Sequence, residues 1–236
     1  MHRIDLAVAI PVYNEAAIVA RVLDEWLDEI GRTTIEYRVF IVDDGSTDET
    51  LRILRDAEQK IGDRLTVVTK TNSGHGQTCR VAYQCALESG APWILQIDSD
   101  GQCDPAFFPE FWRRRTDADC VFGVRVQRED GAIRHLISTG CRVLVALATG
   151  RDLKDANVPY RLIRRDALAR AVTKIPADFD LQNIALTLVL KRDTSLKWAY
   201  VPIRFRARET GSNSMNLRKI SGLGFRMLRQ IHRVGR

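Results

Sequence analysis

Short apolar runs alternating with amphipathic stretches fill the first hundred residues, and few folds accept that pattern. "IDLAVAIPV" (4–12) reads as a strand, "EAAIVARVLDEWLDEI" (15–30) as a helix and "EYRVFIVDD" (36–44) as a strand. "TDETLRILRDAEQKI" (47–61) is a helix, "RLTVVTK" (64–70) a strand, "GQTCRVAYQCALESG" (76–90) a helix with Gly90 at its C-terminal cap, and "PWILQID" (92–98) a strand. Strands this apolar are buried on both faces, and helical crossovers between them make a parallel sheet with helices on both sides. Ligands of such sheets bind outside the carboxyl ends of the strands. There the chain places its polar clusters: "YNE", "DDGSTD", "TNSGHG" and "DSDGQ".

The second half is less regular. "ADCVFGVRV" (118–126) reads as a strand, 133–150 as a helix, and "NVPYRLIRRDAL" (157–168) as a short strand into a turn. "DLQNIALTLVLKR" (180–192) is a helix, "LKWAYVPIRFRAR" (196–208) a strand, and a helix from about Leu217 closes the chain. No repeat or linker interrupts it, so 236 residues make one α/β domain.

Five scattered cysteines, odd in number and without a CxxC, argue against a disulfide framework or a zinc site and for a reducing compartment. The N-terminal apolar run is too short for a signal peptide, and no run approaches a membrane span, so a cytoplasmic location is expected. The net charge of +6 is unevenly placed: from residue 201 onward nine Lys/Arg face the single acid Glu209. In the final stretch Ile220, Leu223, Met227, Ile231 and Val234 form one stripe, with Arg226, Arg229, Arg233 and Arg236 opposite. Such a helix either packs on the domain or lies peripherally on an anionic, cytoplasmic membrane face.

Asp98 and Asp100 follow the fourth strand, one residue apart, and like charges that close need something positive between them. A calcium loop of the EF-hand type is excluded, because its sixth and twelfth positions would be Cys103 and Pro109. An aspartyl-nucleophile phosphatase would carry its DxD nearer the N-terminus. Capping of the next helix falls to Asp104-Pro105, which leaves the DxD pair spare. Residues i and i+2 of an extended stretch point the same way, so both carboxylates can converge on one hard cation that also grips a diphosphate.

"IPVYNE", "IVDDGSTDET", "NSGHGQ", "QIDSDGQ", "GVR" and "VPIRFRARETGSNS", in this order, resemble family 2 glycosyltransferases of the GT-A fold, in particular the polyprenyl-phosphate (dolichyl-phosphate) mannose or glucose synthase group. The resemblance covers about residues 5–215. It implies an inverting transfer from a GDP- or UDP-sugar with Mg2+ or Mn2+, a nucleotide-binding half (1–104), an acceptor half (105–216) and a C-terminal helix (217–236). Carried over by position, Pro11 and Tyr13 line the base pocket, Glu15 contacts the ribose and Asp44 accepts from the base. Gly74 and Gly76 let backbone approach the nucleotide; Asp43, Gly45, Ser46 and Asp48 shape the turn and cap the next helix. Asp98 and Asp100 hold the metal with Gln102 as a third ligand or bridge, Ser99 lies within the donor site, and Arg125 and Arg208 face the diphosphate.

The chain departs from that pattern on the acceptor side. Relatives carry a glutamate in a segment like "FDLEL"; here "FDLQN" puts Gln182 there, with Asp178 and Asp180 as neighbouring carboxylates and Asp180 the candidate base. Asp155 precedes "NVPYR", where relatives read like "SGFR". Loss of the glutamate favours an acceptor that needs no base, such as a lipid phosphate, whereas "GSNS" places Asn213 where that group has a lysine. The acceptor therefore stays open between a polyprenyl phosphate and a soluble or saccharide hydroxyl. A nicotinamide enzyme would need GxGxxG after the first strand, where the chain has "PVYNEAA". A nucleic-acid module would explain the basic tail but leave both acidic clusters idle, so no nucleic-acid partner is expected. Asp98, Asp100 and Arg208 all being present argues against a non-catalytic binding protein.

Overall fold

The structure, a computed structural model, describes residues 3–128, 154–176 and 182–207. Among these residues seven strands form one sheet: β1 (Leu6–Val12), β2 (Tyr37–Asp43), β3 (Leu65–Thr69), β4 (Trp93–Gln96), β5 (Cys120–Arg128), β6 (Arg161–Arg164) and β7 (Trp198–Phe205). Their order is β3-β2-β1-β4-β6-β5-β7. The four strands of the first half are parallel to one another, as the alternation requires. β6 runs antiparallel to both β4 and β5, and β7 pairs parallel to β5 at the sheet edge.

The helices are α1 (Val19–Gly31), α2 (Thr50–Ile61), α3 (His75–Glu88), α4 (Phe108–Arg114), α5 (Arg165–Val172) and α6 (Gln182–Arg192). Both faces of the sheet are covered. Tyr160 stacks on Phe111 and meets Trp26 of α1 edge-on, while the next residue, Arg161, turns the other way to α6. Every residue of β1 is buried, so the core lies along the middle of the sheet. Among the described residues no helix is long and apolar enough to cross a membrane.

Two differences from the sequence reading have a cause in the fold. The first helix begins at Val19 rather than Glu15, because Asn14 takes a left-handed φ of 52°. Here the Glu15 and Ala16 N–H groups donate to Thr50 Oγ1 and Asp48 Oδ2, which ties the segment to the neighbouring loop. After β6 the chain forms α5 rather than a turn. Ala167, Leu168, Ala171 and Val172 recur at helical spacing and are buried, while Asp166 pairs with Arg170 on the outer side. Gly90 follows the α3 cap Ser89 with a φ of 77°, the place expected of it. The 133–150 and 217–236 helices lie outside the described residues.

Candidate active site

The loops after β1, β2, β3 and β4 meet at one edge of the sheet, and the strand register explains why. Val12 of β1 lies beside Asp43 of β2, which lies beside Thr69 of β3. All three strands therefore deliver their following loops at one level. Asn14 binds the second loop by donating its N–H to Ser46 Oγ (2.9 Å) and accepting at Oδ1 from the Thr47 N–H (2.8 Å). Buried Asp43 accepts from the Ser46 N–H (3.2 Å) and Thr69 Oγ1 (2.9 Å), so it shapes the turn. Asp48 accepts from the N–H of Thr50 (3.0 Å), the first residue of α2, although the N-cap position itself is Glu49, which makes no side-chain cap. Gly45 has a φ of 68°, and a side chain there would come within 3.0 Å of Lys70 O and Asn72 N.

Asp44 has a task that the sequence concealed. Its carboxylate accepts from the Ser73 N–H (2.9 Å) and Gly74 N–H (2.9 Å), at the entry to α3, and pairs with Lys70 Nζ. Burial pushes this carboxyl up, but Lys70 and the Ser73 N–H outweigh it and hold the group below the usual carboxylate range. Asp44 thus fastens the third loop to the second. A carboxylate offers about four lone-pair sites, so an incoming base would share oxygens already engaged. Beside it, Pro11 is buried in β1, Glu15 is buried, and Tyr13 is 45% exposed at the lip. Gly74 is the N-cap of α3 with a φ of 90°, and Gly76 is buried in the first turn.

Past β4, the Ile97 N–H still bonds to Ala9 O (3.3 Å) before the chain leaves the sheet. Asp98 Oδ1 is buried and accepts no hydrogen bond; His75 Nε2 is 3.9 Å away, itself 3.4 Å from Cys79 Sγ. Ser99 is buried, and Asp100 Oδ1 accepts from the Gln102 N–H (3.1 Å). Gln102 bridges this loop to the end of β7. Its Nε2 donates to Arg206 O (2.9 Å), and its own carbonyl accepts from the Arg206 N–H (3.0 Å). The Arg206 guanidinium pairs with Glu25 (2.7 Å) and Asp104 (2.9 Å). Asp104 also accepts from the Ala106 N–H (3.1 Å), so capping falls to it and not to the DxD pair. Among the described residues no three His, Cys, Asp or Glu side chains form a ready metal cluster.

On the other side, Arg125 leaves β5 with its side chain buried rather than as a surface charge. It forms a two-point pair with Asp155, Nε to Oδ2 at 2.7 Å and Nη2 to Oδ1 at 2.8 Å, the side chains 7% and 5% exposed. Gln182, at the start of α6, is buried with its Nε2 lacking a partner. Arg208, Asp178, Asp180 and Asn213 lie outside the described residues. Sequence reasoning missed Lys70, Arg206 and His75. The first two act through contacts formed only by the fold, whereas His75 sat within the quoted "TNSGHG".

The sequence profile of "Glycosyl transferase family 2" matches residues 7–171, a span that contains the four loops and the Arg125–Asp155 pair. The chain belongs to glycosyl transferase family 2. It is 25% identical over 225 residues to an undecaprenyl-phosphate 4-deoxy-4-formamido-L-arabinose transferase of Edwardsiella ictaluri, covering 92% of this chain and 65% of that one. It is 29% identical over 209 residues to Glycosyltransferase AglJ of Haloferax volcanii, covering 86% and 64%. This family 2 chain therefore spans a little under two thirds of the length of these relatives. Among solved structures it resembles glucosyl-3-phosphoglycerate synthase from Mycobacterium tuberculosis, crystallised with Mn2+, uridine diphosphate and phosphoglyceric acid. The TM-score is 0.73 at 17% identity, over 99% of this chain and 79% of that one. The likeness gives the fold, which is GT-A.

Proposed function

We propose that this glycosyltransferase moves a sugar, with inversion, from a nucleotide-sugar donor to a polyprenyl phosphate at a membrane surface. The observation that carries the reading is the buried Asp98 Oδ1, which accepts no hydrogen bond and has the His75 imidazole, at 3.9 Å, as a charged neighbour. A buried carboxylate oxygen that accepts no hydrogen bond is costly, and a hard cation is a partner its chemistry suits. Asp98 and Asp100 would hold that cation, Mg2+ or Mn2+, with Gln102 fixing their loop. When bound, the cation would supply Lewis-acid neutralisation of charge on the departing diphosphate.

The remaining chemistry belongs to the chain. Pro11, Tyr13, Glu15 and Asp44 would seat the nucleoside, with Ser99 beside the diphosphate. Arg125, its plane fixed by Asp155, and Arg208 would face the leaving group. A phosphate oxygen of the acceptor attacks the anomeric carbon as the bond to the diphosphate breaks on the opposite side. That oxygen is already ionised, so no proton has to be removed. Two features support a base-free acceptor: Asp155 is committed to Arg125, and Gln182 is an amide where a carboxylate would serve a hydroxyl. The names of the Edwardsiella relative and its homologues, undecaprenyl-phosphate transferases, point the same way. If Asp180 acts as a base instead, hydroxyl acceptors become usable.

The test supplies Mn2+ or Mg2+, a panel of UDP- and GDP-sugars, and either a short-chain polyprenyl phosphate or soluble hydroxyl acceptors. Nucleoside diphosphate release confined to the polyprenyl phosphate supports the proposal; release with hydroxyl acceptors alone refutes it. The basic tail should give salt-sensitive sedimentation with anionic vesicles that is lost on truncation after Ser221.

A further inference from the structure

Within the sheet lies a buried guanidinium that forms no ion pair among the described residues. Arg161, which opens β6, is 0% exposed. Its Nε donates to Val158 O (2.5 Å), one terminal nitrogen to Asn183 O (2.8 Å) and the other to Ala156 O (3.1 Å). All three acceptors are neutral main chain, and the guanidinium lies 4.8 Å from the centre of the Phe122 ring. Among the described residues no carboxylate forms an ion pair with it. Burial of such a cation is costly, and an apolar side chain of similar volume would fill the space at less cost. Stability alone is therefore a poor reason for an arginine here.

Its partners suggest a better one. Ala156 and Val158 belong to the segment that begins with Asp155, the residue that fixes Arg125. Asn183 belongs to the first turn of α6, next to Gln182. Thr187 Oγ1 lies within hydrogen-bond reach of two of the same carbonyls, Ala156 O (3.0 Å) and Asn183 O (2.8 Å), between which its one proton is shared. In the sheet Arg161 lies between Gln96 of β4 and Phe122 of β5. The first of these strands leads directly to Asp98, and the second carries Arg125. Four parts of the site meet at this residue.

We propose that Arg161 is a positioning residue whose buried fork locks the 155–158 segment and the first turn of α6 together, and so sets the Arg125–Asp155 pair against the DxD aspartates. It touches no substrate. Its kinetic consequence rests on the transfer reading above, and its structural part does not.

The experiment compares wild type with Arg161→Lys, which keeps the charge and loses the fork. Amide exchange at 155–158 and 182–184 should quicken at least tenfold, with β1, β2 and β3 unchanged. kcat per folded molecule should fall at least tenfold, a larger loss than any in Mn2+-dependent binding of the donor's nucleoside diphosphate, which Arg125 also faces. The kcat losses of Arg161→Lys and Asp155→Asn should be less than additive, since both act through Arg125. Unchanged local exchange overturns the proposal, and so does a loss of activity that only follows the loss of folded protein. If wild type turns over no nucleotide sugar, the transfer reading fails, and the exchange data still decide the role of Arg161. Should Arg161→Lys not fold, Thr187→Val removes the hydroxyl on two of the same carbonyls. It should give the same exchange pattern more weakly, about two- to fivefold, and wild-type exchange there overturns the proposal.

Discussion

Asp155→Asn isolates the best-buried ion pair of the site. The substitution preserves volume and removes the carboxylate charge of a two-point pair with Arg125, in a place where both side chains are less than a tenth exposed. Breaking such a pair from one side costs about 3–5 kcal/mol, because the abandoned charge stays buried. For a domain of this size about 1 kcal/mol corresponds to roughly 2–4 °C, so the melting temperature should fall by about 6–20 °C. Urea unfolding followed by circular dichroism measures the free energy, and the midpoint should drop with little change in slope. Arg125→Met should cost a similar amount by orphaning Asp155. The double variant Asp155→Leu with Arg125→Met should recover most of the loss, since an apolar pair of like volume is often neutral. A cost below about 1 kcal/mol for Asp155→Asn would mean that the pair behaves as a solvated surface pair, and the argument from burial would fail.

Asp100→Asn should lower transfer by orders of magnitude with the fold intact, and chelation should abolish wild-type activity; full turnover of the variant in saturating metal removes the DxD from the mechanism. Asp44→Ala should weaken nucleoside diphosphate binding at least tenfold and destabilise the protein by roughly 2 kcal/mol, because the Ser73 and Gly74 N–H groups and Lys70 lose their acceptor. Wild-type affinity in that variant would place the base pocket elsewhere. Glu25, Asp44, Asp48 and Glu58 are each pushed up by burial but held below the ordinary value, 4.5 for Glu and 3.8 for Asp, by partner cations and N–H donors. Their stabilisation is present in full above those ordinary values and lost as pH falls through the lower folded values. The urea midpoint should therefore hold from pH 7 to about pH 5 and fall steeply below about pH 4; an unchanged midpoint at pH 3 contradicts the sign.

The parallel half of the fold was legible because its strands and helices carry periodicities that local physics enforces, and its polar clusters fall where each strand ends. β6 was harder to place. A four-residue strand can be recognised from "YRLIR", but nothing local states that it enters the sheet between β4 and β5 in the opposite direction. That insertion shapes the second half of the fold, since it seats Arg161 between the two strands leading to Asp98 and Arg125. The same limit explains the residues read singly. Arg125 and Asp155 were each legible as site charges, but their mutual pairing depends on two segments thirty residues apart. Asp44 was legible as an acid at a strand end, yet its engagement with Ser73 and Gly74 follows from the β2–β3 register. Periodicity reports what a residue is buried against on average. Which carboxylate meets which cation is a property of strand order, and it separates a carboxylate available for catalysis from one already spent on holding its neighbour.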